Sequence, residues 1–337
     1  MRRLCQSTRC TIELEHVAAL SDSFEPGAIS VSRSLWVLRD AQGRFFMPGL
    51  PLTRILVFDS AGHFHSSIGR AGEGPGEFQR VTGILTTPDG DSVYIADFVL
   101  RRLTALTPDL GVARIEHLPY MPTLMRNDGS FILTGQIQTS DLIGYPIHTM
   151  DRGGAILRSF GLDTPQYRPD LPRRLNRLVA PSRDGRIWAA APGKYILERW
   201  NPETGEREAR IPVASSWFRE SDRLESSAER PFPVIVGIWE GPDLLVWVLH
   251  RIADDEWRPP ERFDHAPMDY ASYNQEHDWM IEVIDPLSGR IVASRRFPDY
   301  LGYRPPSTLL VTIREIKMSG TVLDIWRPVL QPIGGSK

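Results

Sequence analysis

Runs of about five residues recur along the whole chain, in which apolar side chains alternate with polar ones or follow one another as Val, Ile, Leu, Tyr and Trp. Examples are Ile55–Phe58, Arg186–Ala189 and Asp243–Val248. Such short, β-branched and aromatic runs predict strands, and the period of an amphipathic helix is nearly absent. Between the runs, glycine turns fall in two recurring places, where a tight hairpin needs a residue with positive φ. One complete unit reads Val81–Thr86, a turn at Pro88–Gly90, Ser92–Asp97, a short connection, Arg101–Leu106, a turn at Leu110–Gly111, and Val112–His117. That is four strands joined by three turns.

The first turn of each unit recurs at Gly43, Gly90, Gly129, Gly185 and Gly241, and the third at Gly62, Gly111, Gly154, Gly205 and Gly289. Five units are therefore visible, with the spacing of propeller blades. A sixth is assembled from both ends of the chain. Leu309–Ile316 and Thr321–Val329 supply two strands, a weak first strand lies near Asp299–Tyr303, and Thr11–Ala18 returns as the outermost one. Pairing the termini in this way removes open sheet edges. The turn glycine of this unit, Gly320, falls in a different place from the others. The expectation is an all-β chain, a six-bladed β-propeller of four-stranded antiparallel blades, with the last blade closed by N- and C-terminal strands. Residues 1–337 form one domain, 1–10 an irregular N-terminal segment and 249–278 a long loop insertion.

Composition narrows the partners. Of the 337 residues, 39 are basic and 42 acidic, a formal charge of −3. The chain therefore lacks the positive field of a general nucleic-acid binder. No apolar run is long enough for a membrane span, and the start lacks the apolar stretch of a secretory signal. Cys5 and Cys10 are the only cysteines, so no disulfide framework holds the body together. They stand either as two free thiols or as a local bridge, which needs an oxidising compartment.

At Gly69–Phe78, followed by Val93–Asp97 and Arg101–Leu103, the sequence resembles an NHL-type repeat. Among such chains it is most similar to bacterial six-bladed propeller proteins of unassigned function, often exported, that carry a G-R-x-G-E-G-P-G-E-F stretch. The resemblance is strong over 43–117 and elsewhere rests on turn spacing. It implies a fold and a binding role, not one activity. It also implies an extracytoplasmic (periplasmic or secreted) setting, with the signal segment absent from this chain. In NHL-like repeats the residues matching Asp97 and Arg101 help knit the blade.

Loop lengths turn this geometry into a functional expectation. In a propeller the turns after strands one and three open on one rim, and the remaining connections open on the other. The short glycine turns are all of the first kind. The long connections, Arg70–Arg80, Gly135–Tyr145, Asp163–Asn176, Ala214–Phe232, His250–Asp278 and Pro298–Thr308, are all assigned to the second. Long loops on a rigid scaffold are where binding residues usually sit. The ligand-binding face is therefore expected to carry Glu73, Glu77, Arg80, Asp97, Arg101, Arg173, Arg174, Trp217, Arg219 and Trp257, since Arg and aromatic side chains also mark protein interfaces. The bland alternative is that these aromatics pack the loops onto the propeller.

The glycine-rich stretch Gly69–Phe78 is no P-loop, because no lysine–serine pair follows it and no helix begins there. It reads as a tight crossover, with Glu73, Glu77 and Arg80 at the channel mouth. His250, His265 and His277 share the longest insertion with several carboxylates, but their spacing fits no metal site. The chain has four asparagines, too few near the mouth for a propeller lactonase, and no G-x-S-x-G or H-E-x-x-H motif. The leading expectation is a monomeric, non-catalytic binding propeller without a cofactor, whose long-loop face takes a protein, peptide or glycan. The alternative is a metal-dependent hydrolase or lyase with a divalent cation in the central channel.

Overall fold

A computed structural model describes residues 10–29, 37–139, 141–162, 176–221, 230–258, 276–316 and 320–333. The described residues form six four-stranded antiparallel sheets. Strand β1 (Cys10–Ser21) stands apart at the start. Blade one contains β2 (Leu38–Arg39), β3 (Phe45–Gly49), β4 (Arg54–Phe58) and β5 (Phe64–Ile68). A short parallel pair, β6 (Arg70–Ala71) and β7 (Glu77–Phe78), leads into blade two. That blade contains β8 (Val81–Thr86), β9 (Val93–Asp97), β10 (Arg102–Leu106) and β11 (Val112–His117).

Blade three contains β12 (Leu124–Met125), β13 (Phe131–Thr134), β14 (Ile147–Met150) and β15 (Ile156–Phe160). Blade four contains β16 (Leu178–Pro181), β17 (Ile187–Ala190), β18 (Ile196–Trp200) and β19 (Arg207–Pro212). Blade five has the longest strands, β20 (Val234–Glu240), β21 (Val246–Ala253), β22 (His277–Asp285) and β23 (Arg290–Phe297). Blade six runs β24 (Gly302–Tyr303), β25 (Leu310–Ile316), β26 (Gly320–Pro332) and then β1, so the first strand of the chain is the outermost strand of the last blade. The ring closes as the sequence predicts.

The closing pair is long, running from Cys10 opposite Pro332 to Ser21 opposite Val322, with one bulge between His16 and Ala18. Gly320 starts β26 and sits in the turn between the second and third strands of this blade, which accounts for its odd position. The closing strand also packs sideways. Gly62, at φ +93°, lies so near β1 that a Cβ there would stand 2.5 Å from the Ala19 carbonyl oxygen. Only glycine fits both that backbone and that contact.

The turn chemistry departs from expectation at two places. In the first turn of blade five the left-handed residue is Leu244 (φ 62°), not Gly241, and in the third turn of blade two it is Leu110 (φ 72°), not Gly111. The core is a set of apolar seams between neighbouring blades. Phe46, Ile55 and Val57 of blade one meet Val93 and Ile95 of blade two, and Leu197 of blade four meets Val246 and Val248 of blade five. The largest seam joins blades five, six and one through Leu249, Ile281, Leu310, Leu323, Phe45 and Leu56. Burying each such side chain stabilises by roughly 1.5–3 kcal/mol, so the sheets are held to one another by their faces.

Two expectations about loops are corrected. The insertion drawn over 249–278 is shorter, because β21 and β22 stay paired from Val246 opposite Ile284 to Ala253 opposite His277. The connection lies over 254–276, and His250 belongs to a strand. The stretch Pro298–Thr308 is not one connection on the long-loop rim. The short strand Gly302–Tyr303 divides it, pairing with Leu310 and Val311, and Arg304–Leu309 is the first turn of blade six on the opposite rim.

Candidate functional site: the two rims of the ring

The glycine-rich stretch after blade one folds as a compact crossover on the long-loop rim. Gly69 (φ +91°) lets the chain turn where a Cβ would stand 2.5 Å from the Phe78 ring. Glu77 reaches back to accept the Gly74 backbone N–H at 2.8 Å and the Arg70 Nε–H at 2.9 Å. Those donors hold its carboxyl below the usual range, the Gly74 amide contributing most. Exposed Glu73 accepts from the Gln79 side chain at 2.7 Å.

Asp97 and Arg102 tie this crossover to blade two by different routes. The fully buried Asp97 carboxylate accepts the backbone N–H groups of Gln79 at 2.7 Å, Arg80 at 3.2 Å, and Val99 and Leu100 at 3.0 Å. Arg102 is 3% exposed, donates to the Glu73 and Glu77 carbonyls, and lies over the Phe78 ring. Asp97 makes no ion pair with a neighbouring arginine among the described residues. The knitting is by capture of backbone groups. Arg101 is exposed, with φ 48°, and Arg80 is exposed beside it.

Trp217 follows the second of the two expectations for these aromatics and packs its loop onto the propeller. Half-buried, it donates its indole N–H to Glu282 at 3.0 Å and packs edge-on against His250 and Phe218. Glu282, 2% exposed, also accepts the Tyr195 hydroxyl and the Ser294 hydroxyl at 3.4 Å. His250 is fully buried, with Nε2 3.2 Å from the Tyr195 hydroxyl and 3.4 Å from Glu282. Its Nδ1 has no hydrogen-bond partner among the described residues.

Burial pushes the His250 imidazole below its ordinary pKa, so the ring is neutral near pH 7. Burial, with the Glu282 charge beside it, pushes the Tyr195 phenol far up. Burial opposes the Glu282 charge, yet donors from His250, Tyr195 and Trp217 outweigh it and its carboxyl titrates below the usual range. This is the nearest thing to a catalytic constellation among the described residues. It is sealed from solvent, and a general acid or base must come within hydrogen-bond reach of its substrate. Its evident work is to anchor the connection between blades four and five.

Of the other expected residues, Arg219 is exposed and lies over the Phe232 ring at 4.8 Å. Trp257 is half-buried, and its backbone N–H donates to the Asp254 backbone carbonyl at 3.2 Å. Nearby, Arg296 pairs with Asp278 and with Asp255. Burial raises the Asp278 pKa, Arg296 pulls it down and Asp254 adds to the rise. Arg173 and Arg174 lie outside the described residues, as does His265. Among the described residues no group of three or more His, Cys, Asp or Glu is arranged to hold a metal ion.

The opposite rim, expected to be bare, carries a cavity of about 690 Å³. Its lining comes from the first turn of every blade: Asp40, Asp89, Asn127, Arg183, Glu240 and Ser307 each represent one. Only a position on the axis touches all six. Nothing in the linear order of residues signals it, because each turn taken singly is short; what builds the cavity is six turns meeting in a circle.

The protein is a six-bladed β-propeller. Residues 36–111 match the family model DUF5128, described as a 6-bladed beta-propeller, over nearly the segment that carries the NHL-like stretch. A member of the DUF4221 family from Bacteroides vulgatus has a similar structure, at 11% identity and TM-score 0.63, covering 97% of this chain and 99% of that one. A candidate exported protein from Bacteroides fragilis is also similar, at 12% identity and TM-score 0.58, covering 94% and 95% of the two chains. At such identities the likeness is one of fold. No curated protein matches the chain.

Proposed function

We propose that this is a non-catalytic binding propeller that holds a protein or peptide on its long-loop rim. The observation that carries the reading is a row of exposed apolar side chains on three consecutive blades. Leu50 is 41% exposed, Phe98 62%, Val99 51% and Ile143 37%. All four lie between the second and third strands of their blades, and exposed Glu73, Arg80 and Arg101 stand beside them. Apolar exposure repeated in the corresponding connection of neighbouring blades, with charge beside it, suits a surface that a partner covers.

The same reading places the protein outside the cytoplasm. Cys10 is disulfide-bonded, Cys5 is the one other cysteine, and disulfides persist in oxidising compartments. The structural neighbour from Bacteroides fragilis, described as a candidate exported protein, is in keeping with that setting.

The test uses three baits against an extract of the source organism: wild type, the double variant Phe98→Asp/Val99→Asp, and Arg183→Ala on the opposite rim. A partner retained by the first and third and depleted about tenfold or more from the second, a loss of about 1.4 kcal/mol in binding, is expected. Retention of the same proteins by all three, or of none by wild type, rules the reading out.

A further inference from the structure

The axial cavity on the short-turn rim is separate from the surface just described, and its size suits a small molecule. Its volume of about 690 Å³ falls among ligand sites of roughly 300–1,000 Å³. The carboxylates that face it are already engaged. Asp40, 7% exposed, accepts the backbone N–H and the Nε–H of Arg44, both at 2.8 Å. Glu240 accepts the Ser182 hydroxyl and the Trp188 indole N–H, each at 2.7 Å, and the Arg183 backbone N–H at 3.1 Å. Asp89 accepts the Asp91 backbone N–H at 3.1 Å.

The cations facing the cavity are less committed. Arg39 donates its Nε–H to the Gly43 carbonyl at 3.3 Å and lies over the Phe45 ring. The exposed guanidinium groups of Arg183 and Arg327 have no hydrogen bond or ion pair to any of the described residues. Each offers five N–H donors in a planar fork that matches a carboxylate. Leu38, Pro306 and Leu309 supply apolar wall.

We infer that this cavity binds a small organic carboxylate, its anionic group held by Arg183 and Arg327 and its body set against Leu38 and Leu309. The match is of unspent donors to an acceptor-rich ligand, in a concave site where charge-assisted hydrogen bonds are at their strongest. Aromatic acids and sugar acids share this chemistry, and the test separates them.

Titration calorimetry of the full chain is run with 4-hydroxybenzoate and with D-glucuronate, each beside its uncharged counterpart, 4-hydroxybenzamide or D-glucose. One-to-one binding of at least one acid is expected, with none of its neutral counterpart, and the affinity falls as salt is added. Arg183→Ala and Arg327→Ala each weaken it by about tenfold or more, as expected when a hydrogen bond to a charged group is lost. Both side chains are exposed and hold none of the described residues in place through a hydrogen bond or ion pair, so unchanged thermal melting certifies the variants. Affinity unaltered in both variants, or no saturable binding of either acid, overturns the inference.

Discussion

The indole of Trp217 donates to the carboxylate of Glu282 across 3.0 Å, joining the connection between blades four and five to the buried third strand of blade five. Because Glu282 is 2% exposed, the bond works where water does not compete. Trp217→Phe keeps most of the ring contacts and removes one donor. The expected loss is about 1–3 kcal/mol, the cost of leaving a buried acceptor short of a partner. Guanidinium denaturation measures it, and partner binding on the long-loop rim stays intact if this tryptophan is an anchor and not a contact.

That outcome bears on what a sequence discloses. The repeat was legible because a hairpin turn demands a positive-φ residue at a fixed place, and glycines such as Gly43, Gly90 and Gly129 announce it. The closing blade was legible because unpaired strands at both termini have one economical solution. Trp217 and Glu282 were not, since no period links a loop residue to a strand residue so far along the chain. Leu110 and Leu244 hid the left-handed position behind a neighbouring glycine. Gly302–Tyr303 was too short a strand to signal that Arg304–Leu309 turns onto the other rim.

Acid destabilises this protein before its carboxylates titrate in bulk. Burial lowers the pKa of His250 and of His148 below the ordinary 6.5, so the unfolded chain binds protons that the folded one refuses. Their contribution is whole above about pH 6.5 and is lost as pH falls toward the folded pKa values, with a slope of up to about 1.4 kcal/mol per pH unit for each ring. Glu282, lowered from 4.5, continues the same trend at more acid pH. His250→Phe removes one of the two histidine contributions. Stability measured from pH 7.5 to 5 therefore falls less steeply in the variant, and parallel curves would show that the ring is already charged in the fold.

Asp97 is the keystone of the crossover after blade one. Its carboxylate gathers four backbone N–H groups at a fully buried position, and Asp97→Ala leaves them without that acceptor. The expected destabilisation is at least about 3 kcal/mol, summed over several orphaned donors. Asp97→Asn retains one carbonyl oxygen and loses less. A hydrogen-exchange map adds a second check: faster exchange at the amides of Gln79, Arg80, Val99 and Leu100 is expected in both variants, graded in the same order.

The long pairing of β1 with β26 makes ring closure depend on the first strand of the chain. Without it, β26 presents a row of unpaired backbone groups along an apolar strand, the arrangement that invites edge-to-edge association. Deletion of residues 1–21 is therefore expected to give an aggregating protein, whereas Gly62→Ala tests the sideways contact alone. In that variant a Cβ would meet the Ala19 carbonyl at 2.5 Å on a left-handed backbone, a conflict that Ser60→Ala in the same turn does not create. Loss of more than about 1 kcal/mol in Gly62→Ala, through strain at a positive-φ site, with Ser60→Ala near wild type, is the expected pair of results in chemical denaturation. Equal stability of the two would mean that the closing strand sits less tightly on blade one than the contact at Ala19 requires.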